Sequence, residues 1–144
     1  MLRKFYFLLF IAVSLITESC SNGEELLKES IIGQYKMEMN EGPNKAEITL
    51  TFEKNGDFNQ IMKVHKFDQA QGIYKDIIVT NVGSWELENA TLIRNYKSTS
   101  VYPQEYEKTW GMPASSVRNF VEEITNTKLV LQDKNEKLVY KKIN

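Results

Sequence analysis

Hydrophobic and polar positions alternate with a period of two through most of the chain. Ala46, Ile48, Leu50 and Phe52 alternate with Glu47, Thr49, Thr51 and Glu53, which predicts a strand with one dry and one wet face. Lys54-Asn55-Gly56-Asp57 follows, and Asn-Gly tolerates the positive φ that a tight hairpin needs. The return strand runs from Phe58 to about Phe67, and Asp68 to Gly72 is a polar loop. Ile73 to Val82 is the next strand. Gly83 to Glu88 follows, with Trp85 and Leu87 on one face and Ser84, Glu86 and Glu88 on the other. Asn89-Ala90 turns the chain into a strand at Leu92 to Lys97. Near the end, Lys128 to Gln132 and Leu138 to Ile143 flank the hairpin turn Asp133-Lys134-Asn135-Glu136. Short strands joined by polar turns predict an antiparallel barrel or sandwich.

Three segments break this pattern. Glu25 to Ser30 suits one helical turn, with Leu26 and Leu27 facing inward. Val117, Phe120, Val121 and Ile124 match the i, i+3, i+4, i+7 spacing of a helix face. Ser98 to Ser116 is long for a barrel connection. It carries Tyr102, Tyr106 and Trp110 at i, i+4 and i+8, and Pro103 is placed to open a short helix with Glu105 in its first turn. Half-burying each ring is worth about 2 kcal/mol, so the segment is expected to cover something. It is either a lid packed on the barrel end or a platform for a ligand or partner.

The first residues read as an address. Arg3 and Lys4 precede an apolar run from Phe5 to Ile16, interrupted only by Ser14. That run is shorter than the roughly 20 residues of a spanning helix and suits a secretory signal. Thr17, Glu18 and Ser19 lead to Cys20, the one cysteine of the chain. This arrangement resembles the lipobox of bacterial lipoproteins, in which the cysteine becomes the lipidated first residue. That resemblance implies an exported protein held in the cell envelope, at the outer membrane, by a membrane anchor at Cys20. The alternative is plain cleavage that leaves a free thiol. Ser21 to Glu25 forms a polar spacer whose acidic residues resemble the surface-export signal of Bacteroidetes lipoproteins; a solvated linker is the other reading. The organisation expected is a signal peptide over 1–19, a lipidated tether and linker over 20–30, and one domain over 31–144.

Composition narrows the chemistry. Lys plus Arg is 18 and Asp plus Glu is 19, a net charge of −1, which leaves no basic footprint for nucleic acid. One Cys excludes an internal disulfide, and one His excludes a zinc site built from several. Any Ser-His-Asp constellation would need His65, which reads as a solvent-facing strand residue sharing a face with Lys63. No Gly-x-Ser-x-Gly elbow occurs. Glu122 and Glu123 point to opposite faces if they lie on a strand. No catalytic residue, metal site or cofactor is expected, and the protein is read as not an enzyme.

Arg94 is the sharper candidate. Leu92, Arg94 and Tyr96 share one face by the two-residue period. If Leu92 points inward, the guanidinium does too, and it then needs a partner. That partner is a protein carboxylate or the acid group of a ligand. Arg-x-Tyr on a barrel wall resembles the carboxylate clamp of intracellular fatty-acid-binding proteins.

A wider resemblance covers roughly Ile31 to Ile143. Its motifs are Gly33-Gln34-Tyr35-Lys36, Ile48 to Phe58, Gly83-Ser84-Trp85-Glu86-Leu87, Ala90-Thr91-Leu92 and Ile124 to Leu131. In order and spacing these resemble the lipocalin-like domains of small Bacteroidetes lipoproteins. The resemblance implies an all-β, antiparallel, up-and-down barrel of about eight strands. It also implies that Val117 to Ile124 is at least partly strand, against the helical insertion that spacing suggests near 103–124. Two functions follow as expectations. The first is non-enzymatic binding of a small apolar or amphiphilic molecule, with Arg94, Tyr96, Trp85, Tyr102, Tyr106 and Trp110 as candidate contacts. The second is a filled barrel that meets another envelope protein through its rim or aromatic segment. Oligomeric state is not legible.

Overall fold

Eight strands follow one another around a closed antiparallel barrel: β1 (Gly33–Glu41), β2 (Asn44–Phe52), β3 (Asp57–Asp68), β4 (Ile73–Glu88), β5 (Thr91–Tyr102), β6 (Ser116–Ile124), β7 (Lys128–Asp133) and β8 (Glu136–Lys142). Each strand pairs with the next, and β8 returns to β1 through Tyr35↔Lys142 and Lys36↔Lys141. A computed structural model describes residues 22–111 and 115–144. The expected signal segment 1–19 and Cys20 lie outside the described residues.

The wall has unequal height. The β3–β4 ladder runs without interruption from Asp57↔Ser84 to Asp68↔Ile73. By contrast, β6 meets β5 only from Thr91 to Asn95. All eight strands therefore enclose one end, while β1 to β5 continue past it as a curved open sheet. Inward positions form two apolar clusters. The larger, at the enclosed end, includes Tyr35, Leu50, Phe52, Phe58, Trp85 and Leu129. The smaller, on the open sheet, is Val64, Ile77 and Val79, with Ala46, Met62, Val101, Tyr106 and Trp110 packed against it.

A helix at 22–31, here α1, covers the enclosed end. Leu27 and Ile31, one turn apart, pack on the larger cluster. Leu26 was expected inward with Leu27, but it is 65% exposed; α1 presents an i, i+4 stripe, which adjacent residues cannot share. Lys28 Nζ sits 5.8 Å from the centre of the Trp85 ring.

Three local expectations are corrected. The segments 73–82 and 83–88 form one strand with a register shift between Val82 and Gly83. A Cβ at position 83 would lie 1.9 Å from the Asn95 carbonyl oxygen, so only glycine fits there. The helix spacing at 117–124 is strand β6 with a bulge between Val121 and Glu123. The bulge resets the period, so Val117, Val121 and Ile124 share the inner side while Phe120 is 52% exposed outside. It also puts Glu122 and Glu123 on the same wet side, where they pair with Lys137 and Lys128. Among the described residues of the 98–116 segment, helix is limited to a 3₁₀ turn at Gln104–Tyr106 and one α-turn, α2, at Glu107–Trp110, both after Pro103.

Candidate functional site: a trough above a polar band

The open half of the sheet and Trp110 of α2 border a half-open trough of about 550 Å³. Its floor and walls include Met39, Ala46, Ile48, Met62, Val64 and Trp110, and Lys45, Lys66 and Glu41 stand at its rim. Alternation explains the lining: Ile48↔Met62 and Ala46↔Val64 are cross-strand neighbours on the inner face of β2 and β3. Its size and apolar lining fall in the range of small-molecule sites. Behind α2, a recess lined by Asn44, Lys66, Asp68, Lys75 and Tyr106 holds a Lys75–Asp68 ion pair at 2.9 Å. Lys75 beside it keeps the Asp68 carboxyl below the usual carboxylate range.

Polar side chains cross the interior at the level where the two apolar clusters meet. Tyr96 donates its hydroxyl to Gln60 Oε1 at 2.9 Å. Thr99 Oγ1 donates to Asn81 Oδ1 at 2.6 Å. Arg94 Nη2 donates to Asn119 Oδ1 at 2.5 Å, and Asn119 Nδ2 donates to the Gln132 carbonyl at 3.3 Å. Burial pushes the Tyr96 and Tyr140 hydroxyls above the ordinary phenol value, with the Arg94 charge opposing.

The six residues singled out from the sequence separate in space. Arg94 and Tyr96 belong to the polar band, and Trp110 lines the trough. Tyr106 lines the neighbouring recess. Trp85 is instead a plug of the enclosed end. Its indole N–H donates to the Glu53 carbonyl at 2.9 Å, and its ring meets Phe52 edge-on at 5.5 Å. Tyr102 points outward and is 71% exposed, opposite Ile78 on β4. Successive positions on a strand face opposite ways, so with Val101 packed on the inner cluster Tyr102 points outward, away from Tyr106 and Trp110.

Ile48, Met62 and Val64 were legible as inward positions, but nothing in the pattern marked them as lining open space. Asn119 was hidden because the helix spacing of 117–124 assigned it no face. His65 lies on the outer side, its Nδ1 2.5 Å from Asp76 Oδ1 and its ring stacked on Tyr74 at 4.3 Å. Among the described residues no group of three or more His, Cys, Asp or Glu is placed to hold a metal ion. No helix among them is long and apolar enough to cross a membrane.

No family model matches the chain, and no curated protein matches it. Solved structures do. A lipocalin-like protein from Bacteroides uniformis aligns over 79% of this chain and 99% of its own, at 16% identity and a TM-score of 0.48. An uncharacterised protein from Bacteroides eggerthii aligns over 78% of this chain and 98% of its own, at 17% identity and a TM-score of 0.48. The closed eight-strand barrel itself rests on the strand pairing.

Proposed function

We propose that the barrel binds a small apolar or amphiphilic molecule in the trough between the open sheet and Trp110. One observation carries this reading. Six apolar side chains, with charged and amide groups beside them, line a half-open trough of about 550 Å³, while the enclosed half is packed with large rings. Binding would bury Met39, now 49% exposed, and the exposed part of the trough wall. The test is calorimetric titration of the full chain with dodecanol and with dodecanoate. Saturable one-to-one binding of either, lost in Met62→Lys, supports the reading. Absence of binding by both would end it.

The cell-envelope part of this reading rests on Arg3, Lys4, the Phe5 to Ile16 run and Cys20. In it, the protein is exported and held at the outer membrane by lipid on Cys20. Incorporation of labelled palmitate in cells, abolished by Cys20→Ser, is the expected result. Unlabelled protein in both cases would remove the anchor.

A second reading keeps a protein partner, because Tyr102 and Ile78 are exposed cross-strand neighbours on the outer face. Large apolar groups that meet outside a barrel suit contact with another envelope protein.

A further inference from the structure

The trough and the recess behind α2 share Asn44 and Lys66 in their linings. One lysine thus stands between two hollows of about 550 Å³ each. It follows Met62 and Val64 along the inner face of β3 by the strand period. Its cross-strand partner on β4 is Lys75, and like charges placed directly opposite each other oppose folding. Asp68 answers only one of the two. Its Oδ2 takes Lys75 Nζ at 2.9 Å, while its Oδ1 accepts the backbone N–H groups of Ala70 and Gln71 at 3.0 and 3.3 Å. Among the described residues no carboxylate pairs with Lys66.

Asn44 adds a donor beside it. Its Oδ1 accepts the Phe67 backbone N–H at 2.9 Å, which leaves the amide nitrogen to donate. Over the two hollows, Lys45, Lys66 and Lys75 face Glu41 and Asp68, three cations against two carboxylates. The surplus is positive, in a chain whose net charge is −1. A lysine stem lies well along apolar surface while its ammonium keeps to the water, which suits a residue at the edge of an apolar trough.

We propose that Lys66 receives the head group of the trough's ligand, so that the ligand is an anionic amphiphile with its chain over Met62 and Val64 and its head where trough and recess meet. This rests on the trough reading above and names the ligand class. An anion there answers the charge that Asp68 leaves over and relieves the repulsion between Lys66 and Lys75. An ammonium is a point charge with rotatable donors and lacks the planar fork of a guanidinium. It therefore selects a negative head by charge rather than by shape. The head stays near water, so its gain is that of an exposed ion pair and weakens with salt.

Calorimetric titration of the full chain with dodecanoate, dodecyl phosphate and dodecanol tests this. At low salt the anions should bind about 3- to 5-fold tighter than dodecanol, the scale of an exposed ion pair. Where the two anions differ, the tighter one names the head. In about 1 M salt, where the screening length is ~3 Å, the ratio to dodecanol should approach one. Lys66→Gln should bring the anions down to dodecanol and leave dodecanol unchanged, and Lys66→Glu should push them below it. Lys63→Gln removes the same charge from the other face of the same strand and should leave the preference intact. Both lysines are exposed, so the variants keep the fold. If dodecanol binds the wild-type chain and neither anion gains at low salt, the head seat is wrong and the trough reading survives. A preference that outlasts Lys66→Gln, or that Lys63→Gln abolishes as well, also overturns the proposal. Binding of none of the three removes both readings.

Discussion

The Tyr35 hydroxyl donates to the Ser30 carbonyl at 3.1 Å, tying the first strand to the last turn of the helix that covers the enclosed end. Its ring is fully buried and lies edge-on to Phe52 at 6.0 Å. Burial pushes this phenol up to about 12 from its ordinary 10.0. The folded state thus holds a proton that the unfolded chain releases above pH 10. A raised folded value means this stabilisation is complete below pH 10 and is lost as pH rises toward 12. Thermal midpoints should fall across that window, and Tyr35→Phe should flatten the fall. The same variant should cost about 0.5–1.5 kcal/mol at neutral pH through the lost hydrogen bond. An unchanged alkaline profile in Tyr35→Phe counts against this account.

Gly83 marks the shift in the β4–β5 ladder. Its missing Cβ leaves room for the Asn95 carbonyl oxygen, which would otherwise sit 1.9 Å away. Because the obstacle is backbone, it cannot swing aside. Gly83→Ala should destabilise by more than about 2 kcal/mol, the upper part of the ordinary range for point changes. Urea unfolding measures it, and a loss under 0.5 kcal/mol would contradict the close approach.

The Asn89-Ala90 turn works in the opposite direction. Both residues have positive φ, 49° and 59°, the pair of angles that a two-residue hairpin of the primed type demands. Ala90 adopts it against the preference of a residue with a Cβ. Ala90→Gly should therefore stabilise by about 0.5–1 kcal/mol despite the added freedom of the unfolded chain. A higher midpoint in calorimetry is the expected outcome; a lower one means that unfolded-state entropy dominates here.

Trp110 packs against the smaller cluster and lines the trough. Trp110→Ala should weaken ligand binding at least about 10-fold while the enclosed end keeps the barrel folded. Dodecanoate titration together with circular dichroism separates the two effects. Normal affinity in this variant would place the ligand elsewhere.

Much of the fold was legible because strand periodicity is local. Ile48, Leu50 and Phe52 had to share a face, and Asn55-Gly56 had to turn, whatever the rest of the chain did. That Leu92, Arg94 and Tyr96 share a face followed from the same period, and the burial of Leu92 in the folded barrel turned that face inward. Local pattern failed where the ladder slips. The bulges at Val82/Gly83 and Val121/Glu123 arise from registry with a neighbouring strand, so a helix-like spacing at 117–124 concealed both the strand and Asn119. The trough was equally out of reach. It exists because β6 pairs with β5 only as far as Asn95 while β5 runs on to Tyr102, a difference in strand length that appears only after pairing.

By itself, then, the sequence determined which strand residues share a face, where the chain turns, and that Arg94 lies on the face of Leu92 and Tyr96. Tertiary structure alone decided that Arg94 meets Asn119 rather than a carboxylate, that Trp85 plugs one end, and that Trp110 roofs open space at the other. The physical reason is range: alternation depends on neighbours two residues away, whereas compensation of a buried charge and the filling of a volume depend on strands brought together from across the chain.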